Sequence, residues 1–122
     1  MQNSLEQSRY AWSEAYYRGD GEQLKYYEHP DLQIVYEAKG IIESNLNRYE
    51  QIAHAVKNAV WKPQKPLIES EEFEFNERMD RCVILLISTE NAAFIQETWV
   101  FNQFWQLIEL RFCKKKMVLE RK

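Results

Sequence analysis

The stretch Thr98–Phe112, TWVFNQFWQLIELRF, decides the fold. It consists of two runs of aromatic and branched residues on either side of Asn102 and Gln103, the composition of a β-hairpin. Asn tolerates the positive φ that a two-residue turn requires. With such a turn, Phe101 faces Phe104, Trp99 faces Gln106, Glu97 faces Ile108 and Ile95 faces Leu110. That face is apolar apart from Gln106 and Glu97. A three-residue turn would instead set Glu97 opposite Glu109, two like charges, so the two-residue register is the one expected. Glu97 is then a carboxylate on the core face of a sheet, among Ile95, Trp99, Ile108 and Leu110. Such a group must be protonated, or partnered by an Arg or a Tyr.

The rest of the chain is long enough for one domain, residues 1–122, and too short for two. Aromatic residues at 14% exceed ordinary core needs and favour a pocket or an interface. A net charge of −3 gives no electrostatic basis for binding nucleic acid, and the short run Lys114, Lys115, Lys116 reads as a solvated tail. No apolar stretch approaches the roughly 20 residues of a membrane span, and no signal peptide is recognisable, so a cytoplasmic protein is expected. Cys82 and Cys113 match no metal spacing. They read as small buried thiols, with a disulfide between them as the alternative.

Ahead of the hairpin, Ser4 and Gln7 have the form of a capping box, opening a helix whose face is Leu5, Ser8, Trp12, Ala15 and Tyr16 and which stops at Gly19. Asp20 caps a second, shorter helix carrying Leu24 and Tyr27, ended by His29-Pro30. Asp31 to Ala38 alternates as a strand, closed by Lys39-Gly40. Ile42, Leu46, Tyr49, Ala53 and Val56 recur at helical spacing and predict a third helix to about Asn58. After Pro63 and Pro66, an edge strand Ile68 to Asn76 has Phe73 and Phe75 on one face, and Glu71, Glu72, Glu74 and Glu77 read as solvent charge. Arg81 to Thr89 follows, and a turn at Glu90 to Ala92 leads into the hairpin.

The order predicts an α+β fold: three N-terminal helices, with one short strand between the second and third, packed on a curved antiparallel sheet. The strand Cys82–Ile87 is apolar on both sides, whereas a strand with one wet face should alternate. Val83, Leu85 and Ile87, together with Trp105 and Leu107, predict a second apolar face, most simply covered by a homodimer through the sheet.

This arrangement resembles the nuclear-transport-factor-2-like superfamily, a cystatin-like cone of curved sheet around a long helix. Its members include ketosteroid isomerases and SnoaL-like polyketide cyclases. The resemblance rests on the aromatic first helix running into Arg18-Gly19-Asp20, the short second helix, the strand ending at Lys39-Gly40 and the Trp-bearing final hairpin. It implies a ligand pocket in the open end of the cone and dimerisation through the sheet. Counted from Gly19-Asp20, the oxyanion-binding Tyr of the isomerases falls on Trp12, their base on Tyr36 and their neutral strand acid on Glu97. One of the three parts is present and the base is not.

Glu97 is therefore the candidate catalytic or ligand-contacting group, with Trp12, Tyr16, Tyr36, Trp99 and Ile108 as candidate pocket residues. His29 reads as a helix-end residue and His54 as a surface one, which leaves no metal-ligand set. No glycine-rich loop or nucleophile elbow appears, and no cofactor is expected. The leading expectation is a domain that binds a small apolar or aromatic molecule, with no assignable reaction. The alternatives are a lyase, isomerase or cyclase using the pocket carboxylate, and an interaction module whose cone is filled by its own aromatics.

Overall fold

The computed structural model describes residues 4–63, 65, 68–88 and 94–113. Within them the chain forms helix α1 (Leu5–Arg18), helix α2 (Gly21–Tyr27), strands β1 (Glu28–Tyr36) and β2 (Ile41–Ser44), helix α3 (Asn45–Lys57), and strands β3 (Ile68–Phe75), β4 (Arg81–Ser88), β5 (Phe94–Asn102) and β6 (Phe104–Cys113). The turn expected at Glu90 to Ala92, the Pro66 entry and the Lys114–Lys116 run lie outside the described residues.

Local chemistry sets the helix ends. The Ser4 side chain accepts from the Gln7 N–H while the Gln7 side chain accepts from the Ser4 N–H, closing both halves of the capping box. At the other end Gly19 adopts the left-handed conformation, φ 74°, and its N–H and that of Asp20 return to the last carbonyls of α1. Asp20 then caps α2 by accepting from the Gln23 N–H at 3.2 Å.

Described strands form one six-stranded sheet in the order β2-β1-β6-β5-β4-β3. Every neighbouring pair is antiparallel except β1 and β6, which run parallel. The three helices pack on one face of the sheet. Leu5 of α1 joins Leu32, Ile34, Ile84, Leu86, Trp99, Trp105, Leu107 and Leu110 in the main core. A smaller cluster of Ala15, Leu24 and Ile52 joins the helices to one another.

The hairpin β5–β6 differs from its expected register. The turn centres on Gln103, at φ 78°, so that Asn102 faces Phe104 and Phe101 faces Trp105. That is the wider turn, which carried on without interruption would oppose Glu97 and Glu109. A bulge at Ile108 removes the conflict: Trp99 faces Leu107, Thr98 faces Glu109, and Glu97 faces Leu110. The bulge places Trp105 and Leu107, as well as Leu110, on the core side. Trp105 and Leu107 are thus core residues rather than part of a second apolar face. The outer face of the sheet keeps Val83, Leu85 and Ile87, each half-buried.

Two further expectations are corrected near the third helix. Ile41–Ser44 pairs with β1 as a strand instead of starting the helix, after a turn in which Gly40 sits at φ 65°. Two β-branched isoleucines in a row suit that pairing. Helix α3 begins at Asn45, and its inward side is Asn45, Tyr49 and Ile52; of the predicted stripe Tyr49 faces inward, whereas Asn45 and Ile52 take the places foreseen for Leu46 and Ala53. Ile42 and Leu46 are 63% and 67% exposed. Helix α2 ends two residues early, at Tyr27, because Glu28 is already extended and pairs with Leu107 of β6. Pro30, which lacks an N–H, lies where the β1–β6 register is interrupted.

Candidate functional site

Helix α1, Arg48 of helix α3, Lys65 and the core side of the sheet line a half-open cavity of about 510 Å³. Its apolar lining comes from Trp12, Ile68, Leu86, Ile95, Leu110 and Phe112. Its polar lining comes from Arg9, Ser13, Tyr16, Tyr17, Arg48, Lys65, Glu71 and Glu97. Its volume lies in the range of small-molecule sites.

Glu97, 4% exposed, is built into this wall. It accepts from Arg9 Nε at 2.8 Å and from the second Arg9 nitrogen at 3.2 Å, a two-pronged pair from α1 to β5. It also accepts from the Trp99 indole N–H at 2.8 Å. Of the two ways to bury a carboxylate, the protein uses an arginine partner. Arg9 reaches Glu71 as well, at 3.5 Å, and its guanidinium lies 5.6 Å from the Phe73 ring centroid. Burial works against the Arg9 charge, but the bonds to Glu97 outweigh it and hold its pKa above the ordinary arginine value. Glu71, taken from the sequence as solvent charge, thus shares the core side with Phe73 and turns to the cavity.

A second buried carboxylate was not identified from the sequence. Glu28, 2% exposed, accepts from the Trp12 indole N–H at 2.9 Å, the Tyr49 hydroxyl at 2.7 Å and the Asn45 side-chain amide at 3.3 Å. Arg48 approaches it at 3.9 Å. Burial, then the bond to Glu28, push the Tyr49 phenol far above the ordinary tyrosine value. The two clusters meet where Trp12 and Trp99 pack edge to face, with ring centroids 5.8 Å apart. The signal that could have found Glu28 was its position beside His29-Pro30. A charged residue at the point where a short helix meets a strand cannot be dismissed as helix surface.

Of the residues singled out beforehand, Glu97, Trp12 and Tyr16 line the cavity together. Trp99 does not; it is fully buried behind Glu97 and positions it. Tyr36 stacks on Phe112, a lining residue, at 5.2 Å between ring centroids and supports the wall from behind. Ile108 is the bulge residue and does not line the cavity; Leu110 and Phe112 take the place foreseen for it. His29 makes a local contact, its Nδ1 accepting from the Asp31 N–H, and His54 is exposed on α3. Cys82 is a buried thiol and Cys113 a half-buried one, neither in a disulfide. Among the described residues no cluster of His, Cys, Asp and Glu is placed to hold a metal ion, and no helix is long and apolar enough to cross a membrane.

No family model matches the sequence, and no curated protein does. Solved structures do match. An NTF2-like protein from Cytophaga hutchinsonii has a TM-score of 0.67 at 13% identity, covering 88% of this chain and 92% of that one. A protein from Shewanella frigidimarina, provisionally named a ketosteroid isomerase, has a TM-score of 0.64 at 12% identity, covering 87% and 91%. The S. rosetta CaMKII hub has a TM-score of 0.60 at 13% identity, covering 89% and 92%. The chain has the nuclear-transport-factor-2-like fold, described in other neighbours as cystatin-like. At these identities the likeness defines the fold, and no reaction follows from it.

Proposed function

We propose that this is a small-molecule-binding domain whose cavity takes a small apolar or aromatic ligand, without an assignable reaction. The observation that carries the reading is the cavity of about 510 Å³ between α1 and the sheet, lined by both apolar and polar side chains. A cone filled by its own aromatics would leave no such space, which weighs against a purely structural module. The isomerase-like alternative is weakened by the dress of Glu97. All three of its bonds are ones in which the carboxylate accepts, so it is held as an anchor rather than presented as a donor. The position of the isomerase base holds Tyr36, which stands behind the wall.

The reading includes a homodimer through the outer face of the sheet. It is supported by half-buried Val83, Leu85 and Ile87, which lie between Glu72 and Glu74 of β3 and Gln96 and Thr98 of β5. It also includes a cytoplasmic location, which suits two reduced cysteines. Native mass spectrometry of freshly purified protein tests ligand and oligomer together, and titration with naphthylacetamide, a neutral aromatic probe, tests the cavity directly. The unmodified protein should bind the probe and Ile95→Trp, which fills the space, should not. An empty spectrum together with no probe binding would overturn the ligand reading.

A further inference from the structure

Arg48 projects from α3 into the cavity wall with a side chain only 15% exposed. A guanidinium offers five N–H donors in one plane, and those of Arg48 are not among the sealed, unpartnered polar atoms of the described residues, so they remain reachable. The other cavity arginine, Arg9, spends its donors on Glu97 and Glu71. Arg48 has no such arrangement. Its nearest carboxylate oxygen, on Glu28, is 3.9 Å away, beyond hydrogen-bond reach, and both Glu28 oxygens already accept from Trp12, Tyr49 and Asn45. Among the described residues the Arg48 guanidinium makes no hydrogen bond. Its main contact is with an aromatic face: its central carbon lies 5.2 Å from the Tyr16 ring centroid. Stacking occupies the face of the group and leaves its in-plane donors available.

The adjacent ring repeats the pattern. Tyr17 packs edge to face on Tyr16 with centroids 5.1 Å apart, and the Lys65 ammonium lies 5.1 Å from the Tyr17 ring centroid. Two cations thus line the cavity, each against an aromatic ring, while Trp12, Leu110 and Phe112 supply apolar wall.

We propose that the cavity's ligand is a small aromatic or alicyclic carboxylic acid, and that Arg48 receives its carboxylate while the ring lies against Trp12, Leu110 and Phe112. A planar carboxylate matches the guanidinium fork with two parallel bonds. The proposal rests on the reading of the cavity as a ligand site and goes beyond it in the chemistry of the ligand. Glu28, 3.9 Å from Arg48, already accepts from three other groups, which leaves the fork to the incoming acid.

The test compares naphthylacetate with naphthylacetamide, which share one ring system and differ in charge, by calorimetric titration of the unmodified protein, Arg48→Met and Arg48→Lys. The acid should bind the unmodified protein tenfold or more tighter than the amide, on the order expected for a charge-assisted pair. Arg48→Met should bring the acid down to the affinity of the amide. A far-ultraviolet circular dichroism spectrum and a melting temperature like those of the unmodified protein show that the variant is folded. Arg48→Lys, which keeps the countercharge of Glu28 without the fork, should fall between. If Arg48→Met does not fold, Glu28→Gln combined with Arg48→Met removes both charges, and the same loss of preference is expected. Equal binding of acid and amide to the unmodified protein would overturn the carboxylate assignment and leave the ligand reading standing. An acid preference that survives in Arg48→Met would overturn the role of Arg48. Binding of neither probe would overturn the carboxylate assignment, and together with an empty native mass spectrum it would overturn the ligand reading as well.

Discussion

Glu97 and Glu28 are carboxylates in an apolar interior, and each is held there by donors from several elements. Breaking such a pair from one side leaves the other partner stranded. Glu97→Leu should therefore destabilise the protein by about 3–5 kcal/mol, since the Trp99 N–H loses its acceptor and Arg9 keeps only the longer contact to Glu71. Arg9→Met with Glu97→Leu should recover most of the loss, because the two apolar side chains fill the same space without a lone charge; urea denaturation of the single and double variants measures both. Tyr49 supplies a pH dependence. Its phenol is shifted upward by burial and by the bond to Glu28, so folding favours the neutral form. The contribution is fully present below the ordinary tyrosine value of about 10 and is lost as the pH rises beyond it. Tyr17 and Tyr36 are shifted in the same direction, each chiefly by burial. Denaturation midpoints should fall above about pH 10, and Tyr49→Phe should make that fall shallower while costing about 1 kcal/mol at neutral pH. Glu97 was legible in the sequence because an acid in an alternating aromatic strand breaks a pattern. Glu28 was missed because its donors, Trp12, Asn45 and Tyr49, come from helices α1 and α3 and are brought to it only by the fold.

The α1–α2 junction shows how sharply one position can be constrained. A Cβ on Gly19 would lie 2.5 Å from Val56 and 2.8 Å from Trp61, and the residue sits at φ 74°. Gly19→Ala should cost well over about 1 kcal/mol. Gly21, two residues on, has nothing within 4 Å of an added Cβ and opens α2, so Gly21→Ala should be neutral or mildly stabilising. Thermal melting of the two variants checks the contrast. Elements with chemical punctuation were readable: the capping box at Ser4, Gly19 as the helix stop, and Asp20 as the next cap all stand as the sequence implied. Helix α3 was misphased because Leu46 and Val56 are exposed and its inward side, besides Ile52, contains Asn45 and Tyr49, polar groups that bond to Glu28. Hydrophobic periodicity cannot see a stripe that is buried through hydrogen bonds. The bulge at Ile108 was illegible for a related reason: the local sequence fits either register, and the choice depends on where Glu97 and Glu109 fall across the hairpin.

At the scale of the molecule, the fold was legible from element order alone, although the parallel pairing of β1 with β6 and the added strand β2 emerge only in three dimensions. The outer face of the sheet carries the dimer prediction. Leu85→Glu would set a third carboxylate beside Glu72 and Glu74. It should convert a dimer to monomer or aggregate in sedimentation velocity, while the unmodified protein sediments as a dimer at micromolar concentration. A monomer under those conditions would remove the dimer from the reading.

The edge-to-face contact of Trp12 and Trp99 has an optical consequence. Two indoles at a fixed angle couple their transitions and give a near-ultraviolet circular dichroism signal that neither ring has alone. Because Trp12 lines the cavity and Trp99 does not, a bound guest perturbs one chromophore of the pair and leaves the other as its reference. The protein thus carries its own spectroscopic gauge of occupancy, and a molecule carried over from the cell would be visible in the spectrum before any label is attached.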